Sequence, residues 1–359
     1  MKKIAIITFH KAKNYGAVFQ VVALQRAIMG LGYESKVIDY DNRGISSSYE
    51  ALRISSFSEL LYSIFLYTER KRKNVFFDRF LARELITTGQ VEKKDLKNLE
   101  NEYDKFITGS DQVWNYLLTD SDGTYFLDFV RESRKKISYA ASFGIGEIPS
   151  EKVAWYKEML QGFGYISVRE ATGCNLVKKM IGRECMNDLD PVFLLDTSVW
   201  KRIMSRSVPK KKYIFVYMGG KEVVQYAHKL ANEKGLSIIN VVYCKSFLHP
   251  EKNVGECRID VSPEEFLAYL YYAEYIVTGS FHATVFSIIF NKQFKVRVPN
   301  MVGSRIKDLL EFTGLQQRAI TMTCSVQDID MPVDWDTVNN VVAESRERSL
   351  VNLQRSIEL

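Results

Sequence analysis

The feature that most restricts the fold is an alternation. Apolar runs of strand length, each followed by a polar loop and then a stretch with apolar residues at helical spacing, recur along most of the chain. The first unit is complete. "KIAIITF" (3–9) reads as a buried strand, "HKAKNYGA" (10–17) as a loop, "VFQVVALQRAIMGLGY" (18–33) as a helix ending at Gly32, and "SKVIDYD" (35–41) as the next strand. Parallel neighbours need a crossover between them, so units of this kind build a doubly wound sheet.

Residues 45–100 break the rhythm. They read as a helical insertion rich in charge and aromatics, and 57–86 as one or two amphipathic helices. Such helices pack on a sheet, or they meet a membrane surface or an acceptor. The alternation resumes with "DKFITGS" (104–110), "KKISYAAS" (135–142) and "GYISVRE" (164–170), and changes character near 196–212. It starts again with "KYIFVYM" (212–218), "LSIINVVY" (236–243), "YIVTG" (275–279) and "QFKVRV" (293–298). The expected fold is α/β, with two Rossmann-like domains facing across a cleft. The first spans 1–197 and includes the insertion, the second spans 198–335, and a helix over 336–359 closes the chain. Ligands of such sheets bind beyond the C-terminal strand ends.

Composition narrows the function. The net charge of +6, from 49 basic and 43 acidic residues, is mild, and the basic runs "ERKRKNVFFDRF" (69–80) and "VPKKKY" (208–213) read first as solvated faces. Without zinc-finger spacing or an RNA-binding motif, nucleic acid is not an expected partner. Five cysteines with no C-x-x-C pair suit a reducing compartment. No run of 18 apolar residues suggests a membrane span, and the N-terminal run lacks a signal-peptide cleavage pattern. The expectation is a cytoplasmic protein, with room for peripheral contact at the inner face of the plasma membrane.

Four strand ends carry candidate chemistry. In "NYGA", Asn14, Tyr15 and Gly16 precede a helix N-terminus, which offers free amides to an anion. In "GSDQVWN" (109–115), the polar Asp111 and Gln112 lie beside Trp114, a pairing that suits a sugar as well as it suits a turn and a core tryptophan. Arg169 leaves the apolar strand "YISV" and either pairs locally with Glu170 or grips an anion. Ser280 and His282 sit where "YIVTG" meets the next helix. Spacing alone leaves His282 open between a core ring, since Val285, Phe286 and Ile289 share its face, and a general acid charged by a nearby anion. The D-x-D pairs "DSD" (120–122) and "DLD" (188–190) are too common to assign to a metal. Dinucleotide, P-loop, zinc-protease and serine-hydrolase signatures are missing.

Taken in order, "NYGAVFQVVALQRAI", "GSDQVWN", "YFLDFV" with "ISYAASFG", "ISVRE", "DPVFLL" and "VTGSFHATVFSIIF" resemble the polysaccharide pyruvyl transferase family from about residue 3 to about 318. The resemblance implies a fold similar to the glycosyltransferase-B type, with the acceptor on the first domain and the donor on the second. It implies transfer of the enolpyruvyl group of phosphoenolpyruvate onto a sugar of a bacterial polysaccharide or its lipid-linked precursor, as in capsule, exopolysaccharide or cell-wall synthesis. A pyruvate ketal forms and phosphate leaves, with no metal and no cofactor beyond the co-substrate. His282 becomes the expected catalytic residue, and Arg169, Ser280 and Arg305 the expected donor contacts. Asn14, Tyr15, Gly16, Asp111, Gln112 and Trp114 become the expected acceptor contacts. The family pattern has Asp before and Gly after Ser-Phe-His; Gly279 and Ala283 stand here, so a carboxylate that would orient His282 or cap the helix is gone. The alternatives are a nucleotide-sugar glycosyltransferase of the same architecture and a non-catalytic glycan-binding protein.

Overall fold

The computed structural model describes residues 1–50, 64–207, 209–243, 254–299, 305–321 and 324–359. Its first sheet holds β1 (Lys3–Ile7), β2 (Glu34–Tyr40), β3 (Thr87–Val91), β4 (Lys105–Thr108) and β5 (Lys136–Ser138), all parallel, in the order β3-β2-β1-β4-β5. The short pair β6 (Ser167–Val168) and β7 (Met186–Asn187) continues it through single bridges from Ile137 to Tyr165 and from Ala141 to Val168. The second sheet holds β8 (Tyr213–Tyr217), β9 (Ser237–Val241), β10 (Glu256–Arg258), β11 (Tyr275–Thr278) and β12 (Phe294–Val296), again parallel, in the order β10-β9-β8-β11-β12. Each sheet starts at its centre and winds outward both ways. The order reverses between β1 and β4 and between β8 and β11, which opens a crevice at the C-terminal strand ends. The near-continuous burial of "KIAII" and "YIFVY" is what a sheet covered on both faces requires.

Residues 45–100 are not an insertion. They include the helix Tyr67–Glu84 and then β3, an edge strand paired parallel to β2. They therefore form one more β–α–β unit of the sheet. "TTGQV" gave no strand signal because it is an edge strand with no buried residue, and Gly89 interrupts it. The part of the predicted amphipathic helices over 57–63 lies outside the described residues.

The closing helix, Trp335–Glu358, returns to the first domain. Lys2 Nζ donates to Ile357 O at 2.8 Å, Asn352 Nδ2 to Asp188 Oδ1 at 2.8 Å, and Arg346 Nε to Phe193 O at 2.6 Å. A second tie between the domains is the helix α1 (Tyr15–Gly30), which is buried along nearly its whole length. A helix apolar all round belongs inside a protein. Phe19 packs edge-on against Trp200 and Phe286, and Tyr15 stacks on Phe266 with centroids 4.0 Å apart. One apolar cluster thus runs from the first sheet into the second domain, and it fixes the walls of the crevice relative to each other.

Candidate functional site

The N-termini of two helices meet in the crevice. Asn14 caps α1, its side chain accepting from the amides of Gly16 at 2.9 Å and Ala17 at 3.4 Å. Ser280 caps the helix Phe281–Ile289, its Oγ accepting from the Ala283 amide at 3.3 Å. His282, in the first turn of that second helix, lies against Gly16: a β-carbon on Gly16 would stand 2.0 Å from His282 Nδ1. The imidazole from one domain therefore rests on the backbone of the other. This close approach requires glycine at position 16.

The far side of the ring faces a buried charged cluster. His282 Nε2 lies 3.4 Å from Asp190 Oδ2 without hydrogen-bond geometry. Asp190 Oδ2 also takes Arg169 Nη1 at 2.7 Å and Ser110 Oγ at 3.3 Å. Arg169 Nη1 donates to Ser110 Oγ at 3.2 Å, and its Nε lies 3.5 Å from Glu170 Oε1. Burial alone would raise the Asp190 carboxyl. His282, Arg169 and the Val192 amide overcome that and hold it well below the usual carboxylate range. Burial likewise opposes the Arg169 charge, and Glu170, Asp190 and Asp111 more than offset it. Two nitrogens of Arg169, Nε and Nη2, and Nε2 of His282 are buried with no hydrogen-bond partner among the described residues. Phe281 packs between two guanidinium groups, Arg169 at 4.7 Å and Arg305 at 5.5 Å from its ring centroid. Arg305 has no ion pair among the described residues, and burial followed by the like charge of Arg169 lowers its pKa.

His282, Ser280, Arg169, Arg305, Asn14 and Gly16 therefore converge on one crevice. Asp111 lies at the edge of the cluster with φ at +84°, its Oδ1 accepting from the Gln112 amide at 2.8 Å. A non-glycine residue in that region carries strain held by its surroundings. The side-chain oxygen of Gln112 accepts from Asn115 Nδ2 at 2.9 Å. Two expectations fail. Tyr15 is fully buried, with its hydroxyl on Val261 O at 2.9 Å. Trp114 is fully buried, stacked on Phe126, and its indole N–H donates to Tyr125 O at 3.2 Å. Both rings serve the core, because an aromatic beside a strand end packs inward unless its polar atom is needed outside. Asp190 escaped the reading because "DLDP" looks like a strand end. The signal was an aspartate before proline, which caps the short 3₁₀ turn Pro191–Leu194. It places a carboxylate 3.4 Å from His282 Nε2. A β-carbon at 279 would meet Met218 O at 2.6 Å, so this backbone has no room there for aspartate.

Of the other D-x-D carboxylates, Asp122 is engaged by Tyr40 and Lys93, and Asp188 by Ser167 and Asn352. A groove of about 680 Å³ beyond β1 and β2, lined by His10, Lys11, Asp39, Asn74 and Asp78, contains none of the expected site residues. No helix among the described residues is long and apolar enough to cross a membrane.

Asp190→Asn is expected to destabilise the fold by about 3–5 kcal/mol, since it leaves Arg169 buried without its closest counter-charge. Urea unfolding checks this. The pH dependence follows from the sign of the Asp190 shift. Its folded pKa is depressed, so the unfolded chain takes up the proton first on acidification. The stabilisation is complete above an unfolded carboxyl pKa of about 3.9 and is lost as pH falls below it. Asp190→Asn should flatten that acid limb.

The family model that matches the chain, over residues 14–294, is described as polysaccharide pyruvyl transferase. No curated protein sequence matches. Among solved structures, the UDP-GlcNAc 2-epimerase from Neisseria meningitidis bound to UDP-GlcNAc is similar with a TM-score of 0.53 at 10% identity, covering 99% of this chain and 100% of that one. A Listeria monocytogenes protein described as a UDP-N-acetylglucosamine 2-epimerase gives 0.51 at 8% identity, covering 97% and 90%. The two facing Rossmann-like domains have the glycosyltransferase-B architecture.

Proposed function

Because the chain belongs to the polysaccharide pyruvyl transferase family, and is on that ground a transferase, we propose that it moves the enolpyruvyl group of phosphoenolpyruvate onto a sugar of a bacterial polysaccharide or its lipid-linked precursor. The observation that carries this reading is the set of nitrogens with no hydrogen-bond partner among the described residues: Nε and Nη2 of Arg169 and Nε2 of His282, buried below two converging helix N-termini. Buried donors without acceptors are costly unless a ligand supplies them. A small ligand with a carboxylate and a phosphate fits that supply, and Arg305, which has no ion pair among the described residues, adds a second cation.

The chemistry assigns each group a task. His282 donates a proton to the methylene carbon of the enol ether, and Asp190 stabilises the imidazolium before transfer. The carbon bearing the phosphate ester becomes oxocarbenium-like, and one sugar hydroxyl attacks it, its proton returning to the now neutral His282. Phosphate then leaves, and a second hydroxyl closes the ketal, its proton leaving with the phosphate. Arg169 and Arg305 hold the two anionic groups, while Ser280 and the amides of its helix face the same charge. Asn14, Asp111 and Gln112 stand where a sugar would approach. The exposed Tyr67 and Val75, beside Lys71 and Arg79 on the Tyr67–Glu84 helix, support peripheral contact with an anionic membrane.

A thermal melt tests the donor. Phosphoenolpyruvate at a hundredfold its dissociation constant should stabilise the chain by about 2.7 kcal/mol, with no matching shift from nucleotide sugars. A shift from a nucleotide sugar alone would replace this reading with glycosyl transfer.

A further inference from the structure

Lys73 lies on the inner face of the Tyr67–Glu84 helix with only 6% of its surface exposed. Its Nζ stands over three aromatic rings, 4.6 Å from the centroid of Tyr243, 5.2 Å from Tyr15 and 5.4 Å from Phe77. Two of those rings belong to the first domain. Tyr243 belongs to the second, so the ammonium sits at the seam. No carboxylate or carbonyl among the described residues pairs with it. Burial, and after it the neighbouring Arg70, bring the pKa of Lys73 down to about 8. The rings attract the charge, but three ring faces are a weaker environment than water or a counter-ion. What the site lacks is an anion.

The position of the cage indicates which anion. The Tyr243 hydroxyl lies 3.2 Å from Asn14 Nδ2 and 2.7 Å from the Tyr217 hydroxyl. Asn14 caps α1, whose Gly16 touches His282. The cage and the His282 pocket are thus two ends of one wall. Lys73 stands over Tyr15, Phe77 and Tyr243, whereas Arg169 and Arg305 both lie against Phe281, and no hydrogen bond, ion pair or shared ring among the described residues joins the two groups. An anion at Lys73 is therefore separate from the one at Arg169. Tyr243 is 40% exposed, so its ring can carry a sugar face as well as the ammonium.

We propose that Lys73, its ammonium held over the rings of Tyr15, Phe77 and Tyr243, is a second anion subsite that receives a phosphoryl group carried by the acceptor sugar. The acceptor is then a glycosyl phosphate, alone or within a longer precursor, and not a neutral glycan end. This rests on the transferase reading above and adds to it the charge class of the acceptor.

The test is calorimetric titration of the full chain and of its Lys73→Met and Lys73→Arg variants. The probes are glucose 1-phosphate, N-acetylglucosamine 1-phosphate, the two unphosphorylated sugars and phosphoenolpyruvate. The wild type should bind at least one sugar phosphate tenfold or more tightly than its parent sugar. Lys73→Met should lose that preference, Lys73→Arg should keep it in part, and phosphoenolpyruvate affinity should be the same in all three. Lys73→Met should also melt at or above the wild-type temperature, because methionine fills the cage without an unpaired charge. Three results would overturn the proposal. One is a wild type with no preference for either sugar phosphate. Another is Lys73→Met with the preference intact and a lower melting temperature, which makes the lysine a seam between domains. The third is a loss of phosphoenolpyruvate affinity in Lys73→Met, which places Lys73 in the donor site. A Lys73-dependent sugar-phosphate response with no phosphoenolpyruvate binding would uphold the subsite and reject the donor.

Discussion

His282→Gln is expected to lower turnover by roughly 10²–10⁴-fold while phosphoenolpyruvate still binds within tenfold of the wild type. The imidazole lies beside the unpartnered Arg169 donors and the Asp190 carboxylate, and an imidazole is a side chain that serves as a general acid. Glutamine keeps polar contact with Asp190 but cannot pass a proton to carbon. Single-turnover rates, measured beside donor binding, separate the two effects. A variant that turns over normally removes His282 from the chemistry. One that no longer binds donor makes it an anchor and not an acid.

Gly16→Ala should be nearly as damaging, although it adds one methyl group and removes no functional group. The added carbon would stand 2.0 Å from His282 Nδ1 and 2.6 Å from Cγ, so the ring must swing away. A displacement of about 1 Å in a catalytic group costs roughly 10²-fold. The fold itself should lose little. Alanine favours a helix over glycine by about 1 kcal/mol, and the atom in the way is a side chain, not backbone. The expected signature is a catalytic loss out of proportion to a small change in melting temperature. Equal losses in both would mean that the contact holds the domains together and does not aim the ring.

The sequence revealed the fold through strands buried on both faces. "KIAIITF" and "KYIFVYM" have no polar face to hide, and a chain with such runs separated by helices can only stack them in parallel. β3 was illegible because it lies on an edge and buries nothing. The site was legible where backbone needs restricted the residue type. Asn14 and Ser280 are caps, and Gly16 is a point of close approach. Tyr15 and Trp114 misled because an aromatic ring beside a strand end has the same sequence context whether it faces a ligand or the core. Asp190 was hidden because its partners, Arg169 and His282, lie 21 and 92 residues away. Only the topology that brings β6 beside the Phe281–Ile289 helix makes the cluster visible.

The central claim is that the buried donors around Arg169 and His282 are the seat of phosphoenolpyruvate. Calorimetric titration of phosphoenolpyruvate onto the wild type and onto Arg305→Met tests it most directly. Arg305 carries no ion pair among the described residues, so its loss removes a ligand contact without stranding a partner. Saturable binding to the wild type, weakened about tenfold or more in Arg305→Met, roughly 1.4 kcal/mol, is the predicted result. Wild-type affinity unchanged by the substitution, or heat only from a nucleotide sugar, would contradict the account.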